Sequence, residues 1–202
     1  SVATSRLEDA GVDLSHVKRL EGPSGLAVVS VDAEGENTVV VVPGANGLVT
    51  PEMVQGWAEV ISGADVVVLQ GEISAESNLA AARLVTGRLV VNLAPVIEVD
   101  PTVLLNARPL VVNEHEGAAA LLQLGGADLT DPRAIVEGLR AAGIESVVMT
   151  VGSAGSLVAE GSDVTEVASP KVKAVDTVGA GDAFCGALSA RLAAGDSLLD
   201  AS

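Results

Sequence analysis

Runs of apolar residues alternate with helix-like segments along the chain from residue 50 onwards. Short runs rich in β-branched residues predict strands, and segments that open on Thr, Ser or Asp before Pro or an acidic residue predict helices. The predicted strands cover residues 65–70, 89–93, 110–112, 146–151, 157–159, 164–167 and 172–175. The predicted helices cover residues 51–61, 74–85, 114–124 and 183–194, and two more start at Asp100 and Asp131.

Several of the predicted strands are apolar throughout instead of alternating between apolar and polar residues, as in D-V-V-V-L-Q at residues 65–70. Parallel strands show this pattern because helices cover both faces of their sheet. The sequence therefore predicts an α/β fold, in which a doubly wound, mostly parallel open sheet carries helices on both faces. Residues 1–24 and 43–202 form this core in our interpretation.

A β-hairpin is predicted ahead of the alternating pattern. Residues 26–31 and 38–42 are rich in β-branched side chains, and the intervening D-A-E-G-E-N is a turn signal. Because this pair of strands precedes the strand–helix alternation, we expect residues 25–42 to form a small β flap that stands apart from the core.

The composition narrows the classes of function. The chain has 202 residues, 49% of them hydrophobic, and a formal net charge of −16. Binding to nucleic acid or to an anionic membrane needs clustered basic residues, so both partners are disfavoured. An acidic protein can still bind phosphates if backbone N–H groups and a metal ion supply the positive field. Tyr is absent, so a nucleobase pocket would be lined mainly by aliphatic side chains.

The cysteine count and the terminal residues indicate the cellular compartment and the extent of the chain. Cys185 is the only cysteine, which excludes an intrachain disulfide and fits a reducing, cytoplasmic location. No apolar run approaches the length of a membrane span, and the first residues lack the features of a signal peptide. The chain has no initiator Met and ends in a helical pattern, so we expect both ends to continue in a longer protein.

Polar and small residues follow most of the predicted strands. Ligands of open α/β sheets bind outside the carboxyl ends of the strands, so these positions are the candidate site. The positions are Gly71 and Glu72, Asn92, residues 113–116, residues 150–153, and Asp176. Their convergence on one edge of the sheet predicts a binding site there.

A glycine-rich loop leads into the last long helix. Gly179, Ala180 and Gly181 have almost no side chain, so their N–H groups can approach a ligand, and a helix N-terminus favours an anion. The loop is not a P-loop, because Asp182 stands where that motif has lysine. It is not a dinucleotide fingerprint either, because Phe184 stands where the third glycine belongs.

Asp182 has two interpretations from its position alone. As an acidic residue at a helix start it could be the N-cap of that helix. As a carboxylate beside an anion-binding loop it could be a general base, which takes the proton of an alcohol that attacks a phosphoryl group. The sequence pattern alone leaves both interpretations open.

Three other acidic or amide residues carry similar alternatives. Asn113 and Glu116 are three residues apart, which favours a variant of the capping box over a site where Glu116 holds Mg²⁺ through water. Glu72 is either a solvated loop acid or an acceptor for a polyol hydroxyl. His115, between two acids at a helix start, is expected to be exposed.

Five segments together resemble one family. The stretch A-V-D-T-V-G-A-G-D-A-F-C-G-A-L at residues 174–188 is similar to the C-terminal signature of the ribokinase-like (phosphofructokinase-B) family of sugar kinases. Four other segments resemble the same family in the same order, and the likeness covers nearly the whole chain. They are G-E-N-T-V-V-V-V-P-G-A-N (35–46), V-V-N-L-A-P (90–95), V-V-N-E-H-E (111–116) and M-T-V-G-S-A-G (149–155).

The resemblance implies an activity and its cofactors. It implies ATP-dependent phosphorylation of the primary hydroxyl of a pentose, with D-ribose converted to ribose 5-phosphate as the favoured reaction. Mg²⁺ and a monovalent cation, K⁺, are the implied cofactors. The hairpin at residues 25–42 resembles part of the β lid, which implies a homodimer formed through that lid.

The resemblance also implies a role for individual residues. Asp182 matches the catalytic base and a substrate contact, and Glu72 matches a sugar-binding acid. The remaining matches are Gly179, Ala180 and Gly181 to the anion hole, Asn113, Thr150, Gly152, Ser153 and Gly155 to the nucleotide site, Glu116 to Mg²⁺, and Asp176 and Val178 to the monovalent-cation loop.

Some family segments have no counterpart in this chain. The N-terminal Asn-x-Asp sugar clamp and Gly-Gly motif are missing, and so is the C-terminal segment that contacts adenine. The acceptor therefore stays open among ribose, other sugars and nucleosides, as in fructokinase and adenosine kinase. A non-catalytic nucleotide- or sugar-binding relative is the remaining alternative.

Overall fold

The computed structural model describes residues 2–31, 37–173 and 176–202. The chain divides into two compact units, Ser1–Leu48 and Val49–Ser202. The first unit groups the hairpin with the residues that precede it. Its elements are helix α1 (Val2–Asp9), strands β1 (Leu26–Val31) and β2 (Asn37–Val42), and a 3-10 helix at Gly44–Leu48.

The hairpin of the first unit has the strands that the sequence predicts. Strands β1 and β2 pair antiparallel, from Leu26 opposite Val42 to Val31 opposite Asn37. The predicted turn falls on residues 32–36, outside the described residues. Leu26, Val40 and Val42 have 59%, 57% and 48% of their surface exposed, so apolar side chains of this hairpin face solvent. Its role as a lid stays a prediction.

The second unit alternates strands and helices. Its strands are β3 (Val66–Gln70), β4 (Arg88–Asn92), β5 (Leu110–Asn113), β6 (Ser146–Thr150), β7 (Gly155–Glu160) and β8 (Asp163–Ala168). Its helices are α2 (Pro51–Gln55), α3 (Ala58–Gly63), α4 (Ala75–Leu84), α5 (Pro101–Leu105), α6 (Glu114–Gln123), α7 (Pro132–Ala141), α8 (Ala180–Ala193) and α9 (Leu198–Ala201).

Side-chain caps explain where several of these helices start. Thr50, Ser74, Asp100 and Asp131 each accept a backbone N–H of the helix that follows them. Three of these helices have proline as their first residue, where the missing N–H costs no hydrogen bond. The capping signals in the sequence therefore place these N-termini correctly.

Two predicted elements differ from the structure. The helix predicted at residues 51–61 is two short helices, α2 and α3, which separate at Gly56 and Trp57. Gly56 closes α2 by donating its N–H back to Glu52 and Met53. The strand predicted at residues 172–175 is not formed at residues 172 and 173, and residues 174 and 175 lie outside the described residues.

The sheet of the second unit has six strands in chain order, from β3 at one edge to β8 at the other. Strands β3 to β6 run parallel, and β7 and β8 continue the sheet antiparallel. Parallel strands need a helical crossover between them, and the three connections are supplied by α4, by α5, and by α6 with α7. The carboxyl ends of β3 to β6 therefore lie along one edge.

Helices cover both faces of the sheet, as the sequence predicts. Neighbouring residues of one strand point to opposite faces, so Leu89 and Val91 enter one buried cluster and Val90 enters the other. The first cluster packs against α4 to α7, and the second against α8 and α9. Leu188 of α8 is fully buried, and burial of such a side chain contributes roughly 1.5–3 kcal/mol. The second cluster therefore anchors α8 to the sheet.

Among the described residues, none of the helices combines the length and the apolar character that crossing a membrane requires.

Candidate active site

Four polar residues close the four parallel strands. Gln70, Asn92, Asn113 and Thr150 are the last residues of β3, β4, β5 and β6. Gln70 lies opposite Asn92 in the sheet, and Asn113 lies opposite Thr150. We call these four residues the carboxyl edge. The predicted convergence of polar residues is present, because parallel pairing brings the strand ends together.

Helix α8 starts at a glycine with a left-handed backbone. Gly179 is its N-cap, with φ of +74°, a conformation that strains any residue with a Cβ. Asp182 is therefore the third residue of the helix, and the interpretation of Asp182 as the N-cap is wrong. In the described part of the chain, no side chain caps this helix. The N-cap is at residue 179 because glycine adopts this left-handed φ at low cost, and this places Asp182 inside the first turn.

Two of the first amides of α8 have no hydrogen-bond acceptor in the described part of the chain. Ala180 donates its N–H to Thr177, and Ala183 donates to Gly179. The N–H groups of Gly181 and Asp182 have no acceptor among the described residues. A Cβ placed on Gly181 would meet no atom within 4 Å, so there is room beside these amides. Unpaired N–H groups at the positive end of a helix form a site for an anion such as a phosphate.

Asp182 is joined to the carboxyl edge by a chain of side-chain amides. Gln70 Nε2 donates to Asp182 Oδ1 at 3.4 Å and to Asn92 Oδ1 at 3.2 Å. Asn92 Nδ2 donates to the carbonyl oxygen of Val111 at 3.3 Å. Strands β3, β4 and β5 and the start of α8 therefore meet at one polar network. The bond between Gln70 and Asp182 completes it, although these residues are 112 positions apart in the chain.

Asn113 and Glu116 form the capping box that their spacing favours. Asn113 Oδ1 accepts the N–H of Glu116 at 2.9 Å, and Glu116 Oε2 accepts the N–H of Asn113 at 2.8 Å. Asn113 Nδ2 also donates to Glu116 Oε1 at 2.9 Å. Burial raises the pKa of Glu116, against the opposing effects of the Asn113 N–H and of the charge on His115.

Within the capping box, the carboxylate of Glu116 can still accept further hydrogen bonds, for example from a water bound to Mg²⁺. Each carboxylate oxygen accepts one hydrogen bond and keeps a second lone pair. Mg²⁺ keeps several of its waters and takes few protein ligands. In the described segments, no group of three or more His, Cys, Asp or Glu side chains is placed to hold a metal. Glu116 therefore fits an indirect, water-mediated contact, and this role stays a prediction.

The turn after β6 is held by backbone contacts. Val151 donates its N–H to the carbonyl oxygen of Gly155 at 2.9 Å, across a 3-10 turn at Gly152–Ala154. Gly155 has φ of +111°, and a Cβ there would lie 2.0 Å from Val167 O. Ser153 is exposed at the tip of the turn. Thr150 begins this turn beside Asn113, so the predicted nucleotide-binding residues are brought together.

Glu72 is an exposed residue of the loop after β3. Asn78 of α4 fixes that loop on both sides of Glu72, since its Nδ2 donates to Gln70 O at 3.0 Å and to Ile73 O at 3.4 Å. Asn78 is only 2% exposed. The loop that carries the predicted sugar-binding acid is therefore anchored to the core through a buried amide.

Asp176 and Val178, the predicted monovalent-cation residues, lie just before α8. Asp176 Oδ1 accepts the N–H of Val178 at 2.9 Å, which forms a tight turn. Both residues are exposed, and the two preceding residues lie outside the described part of the chain. The cation site stays a prediction.

A cavity of about 480 Å³ lies beside the starts of α6 and α7, and it borders the turn after β6 through Val151 and Ala154. Its lining includes Glu114, Asp131 and Glu166, against a single arginine, Arg133. Arg133 is already paired with Glu166 at 2.9 Å. A polyphosphate there would meet mainly like charge, so the start of α8 is the better phosphate site.

Comparison with known proteins adds the family. Residues 2–202 match the sequence profile described as pfkB family carbohydrate kinase. The chain belongs to the pfkB family of carbohydrate kinases. The resemblance seen in the five sequence segments is thereby confirmed.

Individual members of the pfkB family extend this finding. The chain is 34% identical to ribokinase of Schizosaccharomyces pombe over 203 residues. This alignment covers 97% of the chain and 64% of the S. pombe protein. The crystal structure of ribokinase from Thermotoga maritima superposes with a TM-score of 0.87 and 28% identity, over 99% of this chain and 66% of that one. Arabidopsis thaliana ribokinase complexed with ribose and ATP gives a TM-score of 0.83 at 26% identity, over 99% of this chain and 67% of that one.

These likenesses confirm the predicted α/β fold. The chain spans about two thirds of the length of these kinases. The roles assigned to single residues of this pfkB member stay predictions.

Sequence reasoning missed the connection between Gln70 and Asp182. Gln70 and Asn92 were visible only as polar residues that end apolar strands. That signal places them at the carboxyl edge, but it does not say which side chain each one contacts.

Proposed function

We propose that this protein is an ATP-dependent sugar kinase that phosphorylates the primary hydroxyl of a pentose, with D-ribose as the first candidate. The observation that carries the proposal is the position of Asp182, a carboxylate next to two unpaired amides at the start of α8 and tied to the carboxyl edge. The family and the ribokinase relatives support the same activity.

The proposed reaction uses a proton acceptor and an anion site. Asp182 takes the proton of the acceptor hydroxyl while the hydroxyl oxygen bonds to the γ-phosphorus of ATP. The bond between that phosphorus and the bridging β–γ oxygen breaks, and ADP is released. The amides of Gly181 and Asp182 would receive the phosphoryl oxygens. Gly179 and Ala180, the other residues of the predicted anion hole, carry little or no side chain and leave room for the phosphate, while the N–H of Ala180 is bonded to Thr177 O. Fixed dipoles of this kind stabilise charge without reorganisation during the reaction.

The nucleotide would lie along the turn after β6. Thr150, Gly152, Ser153 and Gly155 border that turn, and Asn113 adjoins it through the pairing of β5 with β6. Bound Mg²⁺ would neutralise phosphate charge, with Glu116 as its water-mediated neighbour. K⁺ at Asp176 and Val178 stays part of the proposal.

Ribose is the first candidate acceptor for two reasons. The S. pombe relative is named ribokinase, and the Arabidopsis structure is described as a complex with ribose and ATP. Glu72 is the acid that would contact the sugar in this chain. A cytoplasmic location and a homodimer formed through the hairpin remain predictions from the sequence.

An ADP-release assay on the intact protein tests the proposal. It uses ATP, Mg²⁺ and K⁺ with D-ribose, 2-deoxyribose, fructose and adenosine as separate acceptors. We expect the highest kcat/KM with D-ribose. Preference for another acceptor would correct the substrate. Binding of ATP and ribose without ADP release from any acceptor would replace the kinase with a non-catalytic binding protein.

A further inference from the structure

Among the described residues, Gln70 is the only one whose side chain hydrogen-bonds the Asp182 carboxylate, and it links Asp182 to the sheet. Gln70 is half-buried at the end of β3, opposite Asn92 in the neighbouring strand. Its own carbonyl oxygen accepts the Nδ2 group of buried Asn78 at 3.0 Å. Both the backbone and the side chain of Gln70 are therefore held in place.

The direction of every hydrogen bond in this network is fixed by its two ends. The carbonyl oxygen of Val111 can only accept, so Asn92 must direct Nδ2 towards it. Asn92 Oδ1 then faces Gln70 and can only accept, so Gln70 must present Nε2. The same Nε2 group has a second N–H, and that N–H reaches Asp182 Oδ1. The chain of bonds therefore delivers a donor to the carboxylate.

The two oxygens of Asp182 consequently differ. Oδ1 faces the donor on Gln70 at 3.4 Å, a long contact of the kind that tightens when a substrate complex forms. Oδ2 has no donor among the described residues, and it lies 4.0 Å from where a Cβ on Gly179 would be. Oδ2 is thus the oxygen on the side of the glycine loop.

We infer that Gln70 is a positioning residue for the reaction. It holds Oδ1 of Asp182, and this turns Oδ2 towards the glycine loop to receive the acceptor's proton. The inference rests on the proposed function, because Gln70 acts through Asp182. Asn92 supports it by fixing which end of the Gln70 amide faces the carboxylate.

The test replaces Gln70 with a side chain of similar size that cannot donate. In the intact protein, Gln70→Leu should lower kcat roughly 10- to 100-fold, since a hydrogen bond to a charged group is lost, and change the KM for ATP less than about twofold. Gln123→Leu is the matched control. The side-chain amide of Gln123 likewise makes two hydrogen bonds, here to the backbone groups Ile97 O and Val99 N, but it lies at the opposite end of α6 from the carboxyl edge. That variant should lower the melting temperature without the loss of kcat.

A double-mutant cycle separates positioning from a general structural effect. In the Asp182→Asn background, Gln70→Leu should cost less than about twofold in residual turnover, because the amide no longer accepts a proton and its orientation has no further effect on the reaction. An equal loss in both backgrounds, or Gln70→Leu kinetics within about twofold of wild type, would overturn the inference. If Gln70→Leu does not fold, Gln70→Met keeps the length of the side chain and removes the donor, and normal turnover of that variant would also overturn the inference. Normal turnover of Asp182→Asn alone would instead contradict the proposed function.

Discussion

Helices α6 and α8 both begin next to the carboxyl edge, but their first turns differ. The start of α6 is closed by its own side chains, since Asn113 and Glu116 satisfy each other's backbone N–H groups. The start of α8 has glycine as its N-cap, no side-chain cap, and two amides without an acceptor among the described residues. In α6 the capping box occupies the N–H of Glu116, and two carboxylates, Glu114 and Glu116, stand in the first turn, where they repel an anion. The first turn of α8 carries one acid, Asp182, and its bare glycines leave the N–H groups accessible, so α8 is the better place for a phosphate.

The largest expected effect comes from Asp182, the acid in the first turn of α8. Asp182→Asn should lower kcat about 10²- to 10⁴-fold, since general-base catalysis contributes that much, while ATP binds nearly as before. Steady-state kinetics and calorimetric titration of ATP measure the two effects.

Asp200→Asn is the matched control. Asp200 holds the same third position in helix α9, where it contacts the N-cap Ser197. The proposal gives Asp200 no part in the reaction, so turnover should be unchanged. Similar kinetics for the two variants would contradict the assignment of Asp182 as the base.

Gly181 tests whether the space beside the α8 amides is used. A Cβ on Gly181 meets no protein atom, so Gly181→Ala should leave the fold as stable as before or slightly more stable. The added methyl group would occupy the space of a bound phosphate, and we expect kcat/KM for ATP to fall about tenfold or more. Thermal unfolding and kinetics check both parts.

Gly186→Ala provides the comparison within the same helix. A Cβ on Gly186 also meets no protein atom, but the residue lies further along α8. Its kinetics should match those of the wild type. A loss of activity in both variants, or in neither, would mean that the start of α8 has no special role.

The smallest effect is expected at the capped helix. Glu116→Gln keeps the capping box, whereas Glu116→Ala breaks it and should cost about 1 kcal/mol of unfolding free energy. If Glu116 acts towards Mg²⁺ through its charge, Glu116→Gln alone should raise the Mg²⁺ concentration needed for half-maximal activity. An unchanged Mg²⁺ requirement would leave Glu116 with the cap only.

The pH dependence of stability gives a second test of Glu116. Burial raises its pKa above the ordinary value of 4.5, so the folded state binds a proton more tightly than the unfolded state. The resulting stabilisation is fully present below the unfolded pKa and is lost as pH rises through the folded pKa. Wild-type protein should therefore lose stability relative to Glu116→Gln over the window just above pH 4.5. Unfolding curves at several pH values measure this, and a constant difference would contradict it.

Much of the fold follows from local sequence signals. Thr50, Asp100 and Asp131 mark helix starts. Each stands directly before a proline, and its side chain accepts a backbone N–H from the first turn of the helix. The prediction of one helix over residues 51–61 was wrong. The apolar periodicity continues past Gly56, but Gly56 is the C-cap at which the first helix ends. Periodicity reports which residues are buried and does not report where a helix turn is interrupted.

The candidate site was predictable in part. The family resemblance indicated Asp182, the glycine loop and the turn after β6, and the structure places the last two at helix or strand ends. The spacing of Asn113 and Glu116 favoured the capping box that is found. Gln70 was not predicted, because its partner lies 112 residues away in the chain.

The sequence by itself determined the local features of this protein. Uniformly apolar strands require helices on both faces, and Gly179 permits a left-handed start to α8. Only the tertiary structure decided which polar side chains meet, because parallel pairing aligns the ends of strands that are far apart in the chain. It placed Gln70 between Asn92 and Asp182, and it left the amides of Gly181 and Asp182 open. Local propensity is set by each residue and its neighbours, whereas a site is set by long-range packing.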